Sequence, residues 1–337
     1  MDFIERGAVN YLSGQISGRV LLFTQDGVYN LFANILDPQL ENVEVTLYKD
    51  ITPNPKRQEI QTAQDKLQNQ KFDFIVAFGG GSVIDFAKAF RFYDKRDIPL
   101  IAMPTTAGTG SQATQFAVVY VNGIKTSLDD PTILPDTVIA DSCFVENAPA
   151  CVKASCAMDA YCQAIESFWA KGATNESREY ALQAIKLCKD YLIAAVKTND
   201  IHANEKMTIA AHLAGKAINI SRTTAAHALS YKITSKYGIA HGHAVALSIA
   251  GLFEQNIKVL LPEDQKIILN ALGINKDGIL LYFHQLMTDI GLEDDLGKLG
   301  IEDLDEIVDS VNVQRLSNNP KNLDRNDLLQ ILRRTAC

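Results

Sequence analysis

Three of the six histidines of the chain fall between residues 223 and 247. His227 and His241 lie fourteen positions apart, and His243 follows two positions later. Histidine is the commonest metal ligand in proteins, and a catalytic metal site uses about three protein ligands and keeps one position open. Fourteen residues is not the spacing of a local chelate. The segment alone is therefore compatible with a metal site or with unrelated polar residues on a buried helix.

A carboxylate that could complete such a site lies upstream, in the stretch CAMDAYCQAIESFWA (156–170). If this stretch is helical, Asp159, Gln163 and Glu166 fall at i, i+4 and i+7 and share one face. Two histidines and one aspartate form a ligand set suited to Fe(II) or Zn(II). A lone aspartate is more often solvent-exposed than a ligand, so that alternative stays open.

Two loops rich in small residues follow apolar runs in the first half of the chain. FIVAFGGGSVIDFAKAF (74–90) reads as a strand, three glycines and a helix, an arrangement that lets a backbone cradle a diphosphate. It lacks the GxGxxG spacing, and a tight turn is the alternative. PLIAMPTTAGTGSQAT (99–114) is a second strand followed by hydroxyls and glycines, which suit a ligand crevice at a sheet edge.

The elements around these loops predict two domains. Six short apolar runs alternate with helical patterns up to about residue 147, which is typical of a parallel sheet wound by helices. From 148 onward long helical periods replace the strands. We therefore predict a Rossmann-like, mostly parallel α/β domain over 1–147 and an all-helical domain over 148–337. The strand predictions are 19–24, 43–48, 72–81, 99–104, 116–121 and 137–142.

Composition excludes several classes of partner. The chain has 337 residues, is 47% hydrophobic and carries a formal net charge of -8, which argues against nucleic acid or an anionic membrane as partner. No stretch has the ~18 apolar residues of a membrane span, and the first residues, MDFIERG, do not resemble a signal peptide. The six cysteines form no CxxC pair and are expected to be free thiols. A cytoplasmic protein is the expectation.

The ordered motifs together resemble a known family. GGGSVIDFAKAF, PTTAGTGSQAT, ILPDTVIADS, MDAYCQAIES and HALSYKITSKYGIAHGHAVAL strongly resemble those of the iron-containing (group III) alcohol dehydrogenases. TPNPKRQEI (52–60) looks like an early motif of that family, and NNPKNLDRNDLLQIL (318–332) like its C-terminal signature. The resemblance covers nearly the whole chain, and it implies an α/β plus helical architecture shared with dehydroquinate synthase.

The resemblance implies roles for named residues. The first loop would hold the diphosphate and ribose of NAD(P), and the second loop would contact the same cofactor. Candidate cofactor-binding residues are Gln25, Gly79, Gly80, Gly81, Ser82, Asp85, Thr105, Thr106, Thr109, Ser111 and Lys125. Candidate metal ligands are Asp159, Gln163, His227 and His241.

The chain departs from the family pattern at two of these positions. Gln163 stands where relatives usually have a fourth histidine ligand, so we expect a divalent metal (Fe²⁺ or Zn²⁺) with Gln163 as a weak ligand or an outer hydrogen-bonding group. Gln25 stands where many relatives have an acidic residue that repels a 2′-phosphate, with Asp26 next. This leaves NAD and NADP both open.

The segment 219–247 looks most similar to the phosphonoacetaldehyde reductase branch of the family. The resemblance implies metal-dependent, NAD(P)H-linked reduction of phosphonoacetaldehyde to 2-hydroxyethylphosphonate by a homodimer or higher oligomer. A phosphonate dianion needs cations or N–H donors, for which Arg222, Lys232, Lys236 and His243 are candidates, although each could be an ordinary surface charge. His243 is the strongest of these, and it is also a candidate proton donor.

Three alternatives stay open from the sequence. A short-chain alcohol or diol dehydrogenase would share every motif. A dehydroquinate-synthase-like lyase would share the glycine loop, the metal and NAD, but it would return its cofactor unchanged. A binding module that lost catalysis with the change at Gln163 would bind no metal.

Overall fold

The chain folds into two compact units, seen in a computed structural model that describes residues 1–312 and 316–334. One unit comprises residues 1–106 and 110–148, and the other comprises 107–109 and 149–337. Within the described residues no helix is long and apolar enough to cross a membrane.

A parallel sheet forms the centre of the first unit. Its four inner strands, at 19–23, 74–79, 100–104 and 137–140, are short apolar runs that are almost entirely buried, as parallel strands covered on both faces require. Across the sheet the order is β1-β8-β5-β4-β2-β3, and every pairing among the described residues is parallel. The strands of this unit are β1 Asp2–Ile4, β2 Arg19–Phe23, β3 Glu44–Tyr48, β4 Phe74–Gly79, β5 Leu100–Pro104, β6 Phe116–Val121, β7 Ile124–Asp129 and β8 Thr137–Ala140.

Helices cover both faces of this sheet and bury two apolar clusters. On one face Phe23 and Ile75 pack with Phe86 and Phe90, and on the other Leu22 and Phe78 pack with Phe32 and Phe144. The helices of this unit are α1 Asp26–Leu36, α2 Arg57–Leu67, α3 Gly81–Asp94 and α4 Ser142–Glu146.

The strand order places the topological switch point of the sheet between β2 and β4. From β2 the chain continues to β3 on one side, whereas from β4 it continues to β5 on the other. Ligands of open α/β sheets bind outside the carboxyl ends of the strands at such a switch point. The segments that begin at residues 24, 80 and 105 all leave the sheet at this edge.

The first unit differs from the sequence prediction at several elements. The run 116–121 is a strand, but it pairs antiparallel with β7 in a separate two-stranded ribbon rather than joining the parallel sheet. β7 itself, β1 and helix α1 were not predicted. β7 reads IKTSLD and is mostly exposed, and β1 has only three residues, so neither carries a strong apolar pattern.

The second unit is helical, as predicted. Its helix α5 is buried along most of its length and packs against α6, α7 and α9. A helix buried all round is expected to be apolar, yet α5 carries buried polar side chains that need partners. The helices are α5 Ala150–Trp169, α6 Asn175–Lys197, α7 Ile201–Ser221, α8 Ala225–Tyr237, α9 His241–Asn256, α10 Pro262–Leu272, α11 Ile279–Asp289, α12 Leu304–Asp309 and α13 Arg325–Arg333.

The cysteines are free thiols throughout the described residues, as the lack of CxxC spacing predicted. They lie at positions 143, 151, 156, 162 and 188. Cys337, the sixth cysteine, lies outside the described residues.

Candidate metal centre and nucleotide loops

Three side chains of the helical unit converge on one point. Asp159 on α5, His227 on α8 and His241 on α9 each offer one ligand atom, and these atoms all lie within 4.8 Å of one another. Asp159 and His227 are buried, with 2% and 4% of their surfaces exposed, so the alternative of a solvated aspartate does not hold. Oxygen and imidazole ligands at these separations fit a divalent ion of the Fe(II) or Zn(II) type.

Helix ends and one glycine bring these side chains together. His227 lies in the first turn of α8, and His241 is the first residue of α9. Gly242 follows directly, where a Cβ would overlap the carbonyl oxygen of Ser155 and lie 2.8 Å from Asp159 Cβ. The absence of a side chain at 242 thus permits the close approach of α9 to α5 that the ligand cluster requires.

Carboxylates face both nitrogens of the His227 ring. Nδ1 hydrogen-bonds to Glu166 Oε2, and Nε2 lies 3.2 Å from Asp159 Oδ1. A neutral imidazole has only one N–H, so one carboxylate would face a lone pair. The arrangement therefore calls for positive charge, supplied by a second ring proton or by a cation next to Nε2 and Asp159.

The electrostatics of these side chains agree with that requirement. Burial alone would lower the pKa of His227, but the charge of Glu166 and the hydrogen bonds to Asp159 and Glu166 raise it to about 9. Burial alone would raise the pKa of Asp159, but His241, His227 and Gln163 together lower it. A site that holds a proton this firmly has the negative field that a metal ion also needs.

Gln163 contacts this cluster through its side-chain amide. Its Nε2 donates to Asp159 Oδ1 at 3.0 Å and to the backbone oxygen of Thr109 at 3.2 Å. Both partners are acceptors, which fixes the amide nitrogen on their side. Gln163 is 3% exposed, and its Oε1 has no hydrogen-bond partner among the described residues. A buried amide oxygen without a partner, on a side chain bonded to Asp159, fits a neutral metal ligand.

His243 does not join the ligand cluster. Its Nε2 lies 2.6 Å from the backbone oxygen of Glu293, and its backbone N–H donates to Ser155 Oγ. With Nε2 donating to a carbonyl, this nitrogen is occupied in a bond that orients the ring. The geometry therefore favours a structural role for His243 over the predicted contact with substrate.

The lysines considered for substrate binding already have a partner. Lys232 and Lys236 both pair with Glu306 on α12. Arg222 lies at the end of α7 with φ 66° and ψ 172°, a backbone region that is essentially restricted to glycine. Asn318 holds the turn around it by donating to the carbonyl oxygens of Ser221 and Thr223.

The two small-residue loops of the first unit lie side by side. Gly79 and Pro104 are register partners at the ends of β4 and β5, and the Thr105 N–H donates to the Gly79 carbonyl at 3.0 Å. A Cβ at Gly79 would lie 2.5 Å from Val83 Cγ2, whereas one at Gly80 would have room beside Thr106. The first N–H groups of α3 have no partner within the helix, and helix starts of this kind bind phosphate groups.

Asp85 and Ser111 have a different place from the one predicted. Asp85 accepts hydrogen bonds from Ser111 Oγ and from the Val118 N–H, so the structure gives its oxygens to the protein rather than to a ribose. Lys88 is fully buried and donates to the carbonyl oxygens of Ser111 and Phe116. These contacts fasten the second loop to α3, so Asp85 and Ser111 help to hold this loop in its conformation.

The remaining candidates are placed as follows. Gln25 precedes α1 at the end of β2, and its Nε2 donates to the Ile51 carbonyl. Ser82 Oγ accepts from the Asn54 N–H. Lys125 lies on β7 of the ribbon, opposite Tyr120. Thr109 belongs to the helical unit, where its carbonyl accepts from Gln163.

Sequence reasoning missed three participants in these sites. Glu166 was seen to share a face with Asp159, but its contact with His227 was not predicted. Lys88 gave no signal beyond its position in the α3 pattern. Asn54 lies in the early motif TPNPKRQEI, and a left-handed φ of 59° at this residue marks the turn that brings its N–H to Ser82.

Comparison with known proteins gives the same family at both ends of the chain. The family model described as iron-containing alcohol dehydrogenase matches residues 3–142. The model described as Fe-containing alcohol dehydrogenase family, C-terminal, matches residues 153–336.

Individual relatives carry different substrates in their names. NAD-dependent methanol dehydrogenase from Bacillus methanolicus is 30% identical over 70% of this chain and 67% of its own. Aldehyde-alcohol dehydrogenase from Streptococcus pneumoniae is 29% identical over 75% of this chain, but the match spans only 33% of that protein. The crystal structure of sulfoacetaldehyde reductase from Bifidobacterium kashiwanohense, in complex with NAD⁺, has a TM-score of 0.92 at 26% identity and covers 100% of this chain and 96% of its own.

Proposed function

The chain belongs to the iron-containing alcohol dehydrogenase family, and from that membership we propose that it reduces a short aldehyde bearing an anionic oxyacid group. Phosphonoacetaldehyde is the substrate we propose first, with 2-hydroxyethylphosphonate as the product. The family membership makes the protein an NAD(P)-linked oxidoreductase of CH–OH groups. The single observation that carries the metal-dependent chemistry is the cluster of Asp159, His227 and His241.

We propose that these three side chains hold a divalent metal and that Gln163 Oε1 is a fourth, weaker ligand. A bound divalent metal acts as a Lewis acid, which draws charge from a carbonyl oxygen and stabilises the alkoxide that forms on reduction. Three protein ligands leave a coordination position open for the substrate. A neutral amide oxygen at the fourth position is a weak ligand, so a substrate oxygen could displace it.

NAD(P)H supplies the hydride for this reduction. We propose that its diphosphate lies against Gly79, Gly80 and Gly81, where the start of α3 offers unpaired N–H groups and the positive end of its dipole. Ser82, Thr105 and Thr106 lie at the same edge of the sheet and are proposed to contact the cofactor. Asp85 and Ser111 act there by holding the second loop in position.

The anionic substrate rests on two supports. The segment NISRTTAAHALSYKITSKYGIAHGHAVAL resembles the phosphonoacetaldehyde reductase branch. The similar structure of a sulfoacetaldehyde reductase belongs to an enzyme named for an aldehyde with a sulfonate anion, the chemical counterpart of a phosphonate. Of the basic candidates for binding this anion, Lys232 and Lys236 are already paired with Glu306.

The test is oxidation of NADH and of NADPH by the metal-loaded protein, followed at 340 nm. The aldehydes would be phosphonoacetaldehyde, sulfoacetaldehyde, propanal and butanal. We expect kcat/KM for the phosphonate to exceed that for either plain aldehyde by at least 100-fold, about 2.7 kcal/mol of discrimination.

Each alternative has its own outcome in this assay. Equal kcat/KM for butanal and phosphonoacetaldehyde would refute the anionic substrate and favour a short-chain alcohol dehydrogenase. A preference for sulfoacetaldehyde would keep the anionic class and correct the named substrate. No net oxidation of either cofactor with any aldehyde would refute the reductase.

A further inference from the structure

Glu166 is a buried carboxylate at which four donors converge. It is 0% exposed. Its Oε1 accepts from the Thr224 N–H at 3.0 Å, the Thr224 hydroxyl at 2.7 Å and the Ala226 N–H at 2.9 Å. Its Oε2 faces His227 Nδ1. One side chain of α5 thus binds the first residues of α8 and the ring of a proposed metal ligand at the same time.

We propose that Glu166 is a positioning residue that fixes the ring tautomer of His227, so that Nε2 keeps its lone pair for the metal. The inference rests on the proposed function, because it presumes that Asp159, His227 and His241 hold a metal. A carboxylate can only accept hydrogen bonds, so the nitrogen that faces Glu166 must carry the proton. The opposite nitrogen then lies toward Asp159 with its lone pair available to a cation.

The Glu166 carboxylate also anchors the start of helix α8. Thr224 precedes α8, and its side chain makes no capping bond to that helix. Glu166 takes over this function by accepting the N–H groups of residues 224 and 226, which a helix start leaves without partners. Because His227 follows directly, the same two N–H bonds that anchor the helix also place the imidazole.

Replacement of Glu166 by glutamine separates the two functions. An amide has one oxygen, and three donors meet at Oε1 whereas one meets at Oε2. Placing the amide oxygen at Oε1 keeps three hydrogen bonds, and the reverse orientation would keep only one, at about 1 kcal/mol for each bond. The amide NH₂ therefore faces His227 Nδ1 and donates to it. This moves the ring proton to Nε2, where it blocks metal binding.

The experiment measures Co²⁺ affinity by competition with a chromophoric chelator, together with the visible absorption of the bound Co²⁺. We expect Glu166→Gln to lower Co²⁺ affinity by 10- to 100-fold, the usual effect of losing an outer partner of a histidine ligand. The residual Co²⁺ spectrum should change, while the thermal unfolding midpoint of the metal-free protein stays within a few degrees of wild type.

Two further variants make the result decisive. Thr224→Val removes a hydroxyl bond to Oε1 but leaves the contact between Glu166 and His227. It should lower the unfolding midpoint and leave Co²⁺ affinity within threefold of wild type. His227→Ala should abolish Co²⁺ binding. If His227→Ala binds Co²⁺ normally, the proposed metal site fails. If His227→Ala loses Co²⁺ but Glu166→Gln binds it normally with an unchanged spectrum, the metal site stands and the role of Glu166 is refuted.

Discussion

The close approach of α9 to α5 at Gly242 makes a sharp prediction about the metal site. In Gly242→Ala the new Cβ would overlap the Ser155 carbonyl oxygen and lie 2.8 Å from Asp159 Cβ. Ordinary contacts between such atoms are about 3.5–4.0 Å. The obstacle is backbone and a short side-chain stem of α5, neither of which can rotate away. The shortfall is about 0.7 Å at Asp159 Cβ and larger at the Ser155 oxygen, so the helices must separate by at least about 1 Å.

Two magnitudes follow from that separation. Overpacking of a well-filled interior costs about 1–3 kcal/mol, and backbone overlap places this variant at the upper end. The ligand atoms of Asp159 and His241 belong to a cluster that spans 4.8 Å, and metal–ligand distances tolerate only about 0.2 Å of error. A displacement of about 1 Å should therefore reduce metal affinity by at least about 100-fold, or 2.7 kcal/mol.

Gly251→Ala is the matched control. Gly251 lies on the same helix, and its Cβ would lie 2.6 Å from the Ile331 carbonyl oxygen on α13, away from the ligands. Urea unfolding should show a comparable loss of stability in both, while Co²⁺ competition should show weakened binding in Gly242→Ala alone.

Two results would refute this reasoning. Co²⁺ affinity of folded Gly242→Ala within threefold of wild type would mean that α5 and α9 absorb the methyl group without moving the ligands. Equal loss of affinity in Gly251→Ala would mean that general destabilisation, and not the local displacement of His241, governs metal binding.

Two further predictions concern strain and buried charge. Burial lowers the pKa of Lys88 from its ordinary value of 10.5 to about 7, so between those values the unfolded chain binds more protons than the folded one and stability rises with pH. The variant Lys88→Met lacks this titration. In urea titrations, the difference in free energy of unfolding between wild type and Lys88→Met should therefore rise by about 2 kcal/mol from pH 7 to pH 9. A difference that stays constant with pH would contradict a lowered pKa of Lys88. At Arg222, φ 66° and ψ 172° suit glycine, so Arg222→Gly should be about 1–2 kcal/mol more stable than Arg222→Ala in the same assay. Equal stability of the two variants would show that the turn relaxes once the arginine side chain is removed.

The elements that the sequence predicted well are those with unambiguous patterns. The runs 19–24, 72–81 and 99–104 form strands whose residues are almost all buried. Each strand begins and ends within two residues of the predicted bounds. The ribbon partner β7 carries no such pattern because its side chains are mostly exposed. Its existence depends on pairing with β6, which apolar periodicity does not report.

The sequence predicted which residues lie at the site better than it predicted the contacts of their side chains. The proposed metal ligands were predicted from residue types and from the family resemblance, and the structure brings three of them, Asp159, His227 and His241, together. The family pattern also suggested Asp85 for the cofactor, but hydrogen bonds to Ser111 and Val118 hold its carboxylate inside the protein. A sequence names the residues of a loop, whereas the direction of each side chain depends on which acceptors and donors packing leaves nearby.

Helix α5 shows where that boundary lies. Spacing alone put Asp159, Gln163 and Glu166 on one face, and burial requires that each of these polar groups find a partner. More than one arrangement would meet this requirement, since either Asp159 or Glu166 could have faced His227 Nδ1. What decides between them is the start of α8, where two N–H groups and a hydroxyl need an acceptor and lie against Glu166. Because Glu166 is bonded there, Asp159 is the carboxylate left beside Nε2, and the proposed metal position depends on the hydrogen bonding of a helix terminus.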